Sequence, residues 1–160
     1  MMYEFHTKYN NKDKQKIFEN KILFLNKFKK YVNRDFLFLK ESNIQKFNHW
    51  IEGKRNFFAK PVKGTVGSGI QKIKISELKN KENLYDYLIK NKLYLLEESI
   101  NQHKKMNDII DKSINTIRII TLVYNNELII LSTMLRMSNG KVVDNFDAGG
   151  ISAPIDIKDG

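Results

Sequence analysis

Residues 57–75, "FFAKPVKGTVGSGIQKIKI", decide the interpretation of this chain, because three of its eight glycines fall within six positions. The apolar and β-branched residues at 57–62 and 70–75 predict two β-strands. A tight hairpin turn needs only one or two glycines. Gly64, Gly67 and Gly69 therefore exceed what turning requires, and we name residues 64–69 the glycine-rich loop.

The glycine-rich loop fits no phosphate-binding motif that opens a helix. A Walker A loop ends in Gly-Lys-Ser/Thr, whereas Gly69 is followed by Ile70. A Rossmann loop also opens a helix, whereas "IQKIKI" has strand character. Backbone N–H groups of such a loop can still curl around phosphates, with Lys60 and Lys63 supplying positive charge. An ordinary flexible hairpin is the alternative.

Composition limits the class of protein. The 160 residues are 41% apolar and suit one globular domain. No apolar run is long enough to span a bilayer, and the first residues lack a signal-peptide core. The absence of cysteine excludes disulfides and thiolate metal sites, so we expect a cytoplasmic protein.

The net charge of +10 is concentrated in the first part of the chain, where residues 1–60 carry 14 basic against 6 acidic residues. A basic module that binds nucleic acid or an anionic surface through the Lys-rich N-terminal helix is therefore an alternative function. Only 4 of the 28 basic residues are arginine, and aromatic residues do not alternate with them. These features favour a solvated lysine-rich face over a nucleic-acid site.

Helical periodicity predicts three helices. The first is an amphipathic helix over 14–32, the second follows "NIQKFNHWIEGK" and ends at Gly53, and the third spans 76–91 with Ser76 as its N-cap. The stretch "RDFLFLK" suits either a short strand or a continuation of the first helix.

The second half of the chain predicts strands. "LYLLEESI" (93–100) reads as a buried strand, and "INTIRIITLVY" turns at Asn125-Asn126 into "ELIILSTMLRM". Asn139-Gly140 is typical of a type I′ hairpin turn. Helices mixed with largely antiparallel strands predict an α/β (α+β) fold.

Two arginines lie within the predicted strands. Alternation places Arg118 on one face with Thr116 and Ile120, where an unpaired charge among apolar residues is costly. Either an anionic ligand or a buried carboxylate would satisfy Arg118. Arg136 raises the same question, and the alternative there is a salt bridge to Asp144.

Four segments occur in an order that resembles the ATP-grasp superfamily, and most closely the sugar-transfer-associated ATP-grasp proteins. They are "AKPVKGTVGSGI", "YLLEESINQH", "SINTIRIITL" and "RMSNGKVVDNFDAGGISAPID". A looser similarity reaches the ribosomal-protein glutamate ligases, and the resemblance covers roughly residues 15–160. It implies a two-subdomain fold with the glycine-rich flap on an antiparallel hairpin. Residues 1–56 would be a helical N-terminal part, 57–95 the flap subdomain, and 96–160 the hinge and a second subdomain.

The resemblance implies an ATP site. Lys60 corresponds to the lysine that contacts the α-phosphate and the base, and the glycine-rich loop corresponds to the phosphate flap. Glu98 is the nearer candidate for the ribose hydroxyls, and His103 is a candidate contact to ribose or substrate, the alternative being a surface histidine. The complete set of implied nucleotide-binding residues is Lys60, Lys63, Gly64, Gly67, Ser68, Gly69, the hinge Glu97, Glu98, Ser99 and Ile100, and His103.

The resemblance further favours an anionic ligand for Arg118 and assigns Arg136 and Asn145 to the terminal phosphates. These three are the implied catalytic residues. The resemblance also implies a ligase in which a carboxylate of unknown identity attacks the γ-phosphate and a nucleophile then displaces phosphate. The name of the group suggests a link to polysaccharide or cell-envelope assembly.

The sequence departs from the family pattern at the magnesium ligands. No glutamate lies beyond Glu127, so the family's Glu-x-Asn pair is absent, and only the late acids Asp144, Asp147, Asp156 and Asp159 remain. We therefore expect an ATP-grasp module that is incomplete at its C-terminus, has no metal site of the family's kind, and binds ATP weakly at best, without turning it over.

Overall fold

The computed structural model describes residues 2–64, 68–78, 82–111, 113–140 and 149–160. The chain divides into two compact units, each treated separately below. We call Lys12–Ile100 the loop unit, because it contains the glycine-rich loop. Met1–Asn11 together with Asn101–Gly160 form the hairpin unit. The three-part division expected from the sequence stays a prediction.

The described residues form six α-helices and seven β-strands. The helices are α1 (Met2–Tyr9), α2 (Lys12–Glu19), α3 (Lys21–Lys27), α4 (Ile44–Ile51), α5 (Glu82–Lys90) and α6 (Lys104–Asn107). The strands are β1 (Phe36–Phe38), β2 (Asn56–Lys60), β3 (Gln71–Lys74), β4 (Leu95–Glu98), β5 (Thr116–Tyr124), β6 (Glu127–Met137) and β7 (Ile151–Pro154). Within this part of the chain, each helix is too short or too polar to cross a bilayer.

The loop unit is built on a four-stranded antiparallel sheet of order β1-β4-β2-β3. β2 and β3 confirm the two strands predicted on either side of the glycine-rich loop, and β4 confirms the buried strand. One face of the sheet carries Phe57, Ala59 and Leu96, which pack with α4 and α5. The buried core on this side comprises Leu39, Phe47, Trp50, Ile51, Phe57, Ala59, Leu84, Leu88, Leu93 and Leu96.

The opposite face of the same sheet is covered by α3. Ile22 and Leu25 of this helix pack on Leu95, with Phe36 and Phe38 beside them. Side chains alternate along a strand, so Glu97, two positions after Leu95 on β4, lies on the same face as Leu95. Lys60 of β2 pairs with Leu95 and therefore lies on this face as well.

The prediction of a single helix over 14–32 is wrong, because α2 ends at Glu19 and a second helix, α3, begins at Lys21. Asn20 adopts an extended conformation, and its side-chain oxygen accepts hydrogen bonds from the amides of Ile22 (3.0 Å) and Leu23 (3.3 Å). This N-cap starts α3. A 3₁₀ turn at Lys29–Tyr31 then follows α3.

Ser76 does not cap the third predicted helix, which begins only at Glu82. Ser76 instead lies within a 3₁₀ turn, Ile75–Glu77, whose first amide donates to the carbonyl of Arg55 (2.9 Å). This tertiary hydrogen bond extends the pairing of β2 and β3. The helix that ends at Gly53 is confirmed as α4, and "RDFLFLK" contains the strand β1.

The hairpin unit contains a three-stranded antiparallel sheet of order β5-β6-β7. Asn125 and Asn126 have positive φ (49° and 65°), which confirms the predicted turn between β5 and β6. β6 also pairs with β7, Met137 opposite Ile151, so the Asn139-Gly140 signal does not set the register between these two strands. The strand predicted directly after that turn falls in 141–148, outside the described residues.

One face of this sheet exposes large apolar side chains. Ile117, Ile119 and Val123 lie on the same side of β5, and their relative exposures are 59%, 55% and 64%. Leu128 pairs with Val123 and is 69% exposed. A contiguous exposed apolar face of this kind favours association with another surface.

We therefore expect the protein to self-associate through this face. Ile119→Lys and Val123→Lys should each lower the self-association measured by analytical ultracentrifugation, because they place a charge on the apolar surface. Ser152→Lys is the matched control, since it adds the same charge at an exposed position of β7 on the other face. Equal association of all four proteins would contradict a role for the apolar face.

Candidate functional site

A buried carboxylate lies at the centre of the loop unit. Glu97 of β4 has a relative exposure of 4%. Its Oε1 accepts a hydrogen bond from Arg34 at 2.8 Å, and its Oε2 accepts one from the ammonium of Lys60. Both of its oxygens therefore face a cation, as a buried charge requires.

Strand pairing brings these three residues together. β4 lies between β1 and β2, and Phe58 and Phe36 are the two pairing partners of Glu97. Lys60 follows Phe58 by two positions on the same face, and Arg34 precedes β1 by two residues. Glu97 is thus buried and ion-paired rather than part of a solvated strand end, whereas Glu98 is exposed.

The two cations determine the ionisation of Glu97. Burial by itself raises the pKa of a carboxyl group, but the charges and hydrogen bonds of Lys60 and Arg34 outweigh it and hold the pKa of Glu97 below its usual value. Lys21 lies in the same electrostatic environment. Burial, and then the charge of Lys60, lower the pKa of Lys21, while Glu97 opposes this shift.

Lys21 joins α3 to the entrance of the glycine-rich loop. Its ammonium donates to the carbonyl oxygens of Pro61 (3.2 Å) and Gly64 (3.0 Å), and its backbone amide donates to Val62 O (3.2 Å). At the other end of the loop, Gly69 has φ +72°, and a Cβ built there would lie 3.3 Å from Cγ of Pro61. The described ends of the loop are therefore packed closely together.

Of the other residues predicted in the loop, Lys63, Gly64 and Ser68 are exposed, whereas Gly67 lies outside the described residues. The hinge residues follow the end of β4. Glu98 accepts a hydrogen bond from the amide of Asp35 (3.2 Å), on the face of the sheet opposite Glu97. Ser99 Oγ hydrogen-bonds Asn56 Oδ1, and Ile100 is exposed. The structure thus brings Glu97, rather than Glu98, next to Lys60.

Arg118 and Arg136 lie on one face of the hairpin-unit sheet. Arg136 pairs with Thr116, two positions from Arg118 on the neighbouring strand, so the two arginines are diagonal neighbours. Arg118 is exposed, and the argument that its burial demands an ionic partner is therefore wrong. Two guanidinium groups within reach of each other still suit an anion with several oxygens.

The remaining predicted contacts lie near the start of the hairpin unit or outside the described residues. His103 is exposed and caps α6, its Nδ1 accepting from the amide of Lys105 (3.3 Å). Gln102 holds the backbone of this unit, because its Oε1 accepts a hydrogen bond from the amide of Asn115 (2.5 Å). Asn145 lies outside the described residues.

The described residues contain no group of three or more His, Cys, Asp or Glu side chains placed to hold a metal ion. Asp156 Oδ1 accepts a hydrogen bond from the amide of Lys158 (2.7 Å), which is a local turn contact. Asp144 and Asp147 are not among the described residues.

Comparison with protein families gives a match over the whole chain. The model of the sugar-transfer associated ATP-grasp family matches residues 1–160. The chain belongs to this family. The mixed α+β architecture with two antiparallel sheets fits an ATP-grasp domain. Comparison with curated proteins and with solved structures gives no match.

Sequence reasoning missed Arg34 and Lys21 in this ATP-grasp domain. Arg34 contacts a residue 63 positions away. Lys21 contacts carbonyl oxygens 40 and 43 positions away. In the sequence, Arg34 and Lys21 resemble the many exposed basic residues at positions 1–60. The available signal was a buried acid, since a glutamate within an apolar strand requires cations.

The lowered pKa of Glu97 predicts a pH dependence of stability. Its usual value is 4.5, so the unfolded chain takes up the proton at a higher pH than the folded one. The stability contributed by Glu97 is therefore complete above about pH 4.5. It is lost as the pH falls through the lower folded value.

Urea unfolding between pH 3 and 7 measures this contribution. Glu97→Gln should flatten the fall in unfolding free energy on the acid side and lower stability at pH 7 by about 3 kcal/mol or more, because two cations lose their carboxylate. Glu98→Gln, at the exposed neighbouring position, is the control. Parallel pH profiles for wild type and Glu97→Gln would show that Glu97 does not titrate in this way.

Proposed function

We propose that the loop unit binds ATP at the entrance of the glycine-rich loop, beside Lys60. The observation that carries this proposal is the imbalance of charge around Glu97. Lys60 and Arg34 bond to one carboxylate, and Lys21 interacts electrostatically with Lys60 and Glu97, so this partly buried environment has an excess of positive charge. Such an excess suits the phosphates of a nucleotide.

Lys60 is the proposed direct ligand of the phosphates. It ends β2 and precedes the glycine-rich loop, and its side chain is 19% exposed. An incoming phosphate must compete with Glu97 for its ammonium. Arg34 remains on Glu97 when Lys60 turns to the ligand, so the buried carboxylate keeps a cation throughout the exchange.

The remaining predicted contacts extend this proposal. Lys63, Gly64, Gly67, Ser68 and Gly69 are the proposed flap contacts, and the segment Glu97–Ile100 is proposed to bind the base and ribose. Arg118, Arg136 and Asn145 are proposed to bind the terminal phosphates, and His103 is proposed to contact ribose or substrate. The diagonal arrangement of the two arginines supports their part.

The proposed activity of the family fold is ATP-dependent ligation of a carboxylate, linked to polysaccharide or cell-envelope assembly in the cytoplasm. The sugar-transfer association in the family description supports this link. The alternative of a basic module that binds nucleic acid through the N-terminal helices gains no support from the comparisons. Lys21, one of the lysines of that region, bonds to the loop carbonyls.

Lys60→Ala should weaken ATP binding by about 1–3 kcal/mol, the range for loss of a charge-assisted hydrogen bond. Isothermal titration calorimetry at fixed salt measures this change. Lys90→Ala is the matched control, because Lys90 is exposed at the end of α5. Equal affinity of wild type and Lys60→Ala would exclude Lys60 as a phosphate ligand.

The same titration with duplex DNA at two salt concentrations tests the alternative function. Binding through the N-terminal lysines would be steeply salt-dependent and weakened by replacing Lys27, Lys29 and Lys30. The ATP proposal expects nucleotide affinity to survive these replacements. Tight DNA binding without ATP binding would favour the alternative.

We expect residues 1–160 to bind ATP weakly and without turnover, because within them no Glu-x-Asn pair of the kind that holds magnesium in the family follows Glu127. Phosphate release with added Mg²⁺ measures turnover. Release on the order of 1 s⁻¹ or faster, a rate typical of enzymes, would show that the late aspartates supply the metal ligands. Asp144→Asn and Asp147→Asn should then abolish the release.

A further inference from the structure

We propose that Lys21 is a positioning residue for the bound nucleotide, holding the entrance of the glycine-rich loop in the conformation that receives phosphate. This inference rests on the proposed ATP site of the loop unit. Lys21 is the first residue of α3 and lies outside the strand-loop-strand segment that carries the predicted contacts. Lys21 fixes the backbone of residues 61–64, whose amides are the proposed donors to the phosphate.

A single side chain and its own amide hold the chain from Pro61 to Gly64. The ammonium of Lys21 bonds the first and last carbonyls of this run, at 3.2 and 3.0 Å, and the Lys21 amide bonds the carbonyl of Val62 at 3.2 Å. Asn20 fixes the position of Lys21 by capping α3. The entrance of the loop is thus fastened to a helix that is itself packed on the sheet through Ile22 and Leu25.

This arrangement orients backbone amides. In a trans peptide the carbonyl and the following N–H point in opposite directions. With the carbonyls of Pro61 and Val62 turned to Lys21, the amides of Val62 and Lys63 face the other way. Successive amides that point to one side are the groups with which a loop binds an anion. Lys21 therefore presents donors to a phosphate without contacting it.

The same contact reaches the exit of the loop. The Pro61 ring lies against Gly69, and a Cβ at Gly69 would be only 3.3 Å from Cγ of Pro61. Pro61, whose carbonyl is bound by Lys21, thus connects the two ends of the loop. Loss of the Lys21 ammonium releases the entrance and removes the fixed surface on which the exit packs.

Lys21→Met tests this role, because methionine keeps an unbranched apolar stem and removes the ammonium. Lys27→Met is the matched control on the exposed side of the same helix. Lys21→Arg keeps the charge and should restore most of the effect. The first readout is the rate of tryptic cleavage after Lys63 in the ligand-free protein, measured by mass spectrometry. Cleavage after Lys90, at the end of α5, reports unfolding of the whole unit.

We expect Lys21→Met to accelerate cleavage after Lys63 by about tenfold, while cleavage after Lys90 stays at the wild-type rate. The tenfold change at Lys63 corresponds to the loss of about 1.4 kcal/mol of local stability. Lys27→Met should behave as wild type. Equal acceleration at Lys63 and Lys90 would overturn the proposal, since it would indicate general unfolding. No acceleration at either position would also overturn it.

The second readout is the dissociation constant for ATP, which Lys21→Met should raise about tenfold and Lys21→Arg by less. Faster loop cleavage with unchanged ATP affinity would overturn the link to nucleotide positioning. If the wild-type protein binds no ATP, the proposed function fails. The cleavage experiment then decides by itself whether Lys21 fixes the loop.

Discussion

The loop unit depends on the burial of one carboxylate. A charged group that leaves water without a partner costs far more than a single domain can spare, so Glu97 can occupy β4 only while cations reach it. Arg34 approaches from the segment before β1 and Lys60 from the end of β2. The strand order β1-β4-β2 therefore also meets an electrostatic requirement, because it brings both cations to β4.

The same constraint bears on the proposed nucleotide binding. Lys60 is paired with Glu97, so a phosphate that bound Lys60 would have to offset the loss of this ion pair. Arg34 would reduce that loss by remaining on the carboxylate. The ammonium of Lys21 binds loop carbonyls, so the proposed contribution of Lys21 is through the backbone.

Patterns of short range were predictable from the sequence, because the physical cause lies in the segment itself. Alternation and glycine spacing predicted β2, β3 and the loop between them, and the acidic end of an apolar strand predicted β4. The turn at Asn125-Asn126 follows from the tolerance of asparagine for positive φ. Family resemblance added the expectation of an ATP-grasp domain, which the family match confirms.

Features fixed by distant partners were not predictable in this way. The break between α2 and α3 depends on the Asn20 cap together with the bond from the Lys21 amide to Val62 O. The helical periodicity uses only the spacing of apolar residues, so it predicts one continuous helix across this break. The 3₁₀ turn at Ile75–Glu77 depends likewise on Arg55. The prediction that Arg118 is buried and needs an ionic partner was wrong for another reason. Strand alternation predicts which face a residue occupies, but it does not predict whether that face is covered.

The formation of the site is consequently coupled to the formation of the sheet. Arg34 and Glu97 are 63 residues apart, and Lys60 and Glu97 are 37 apart, so the cation cluster exists only after β4 has entered between β1 and β2. A ligand that binds the assembled cluster and not the unfolded chain stabilises the folded unit by mass action, by about 2.7 kcal/mol at a hundred times its dissociation constant. Lys21 extends the coupling to α3, because the helix that covers the apolar half of this face also holds the loop. The proposed binding of a nucleotide at the loop entrance would therefore also favour the packing of α3 on the sheet.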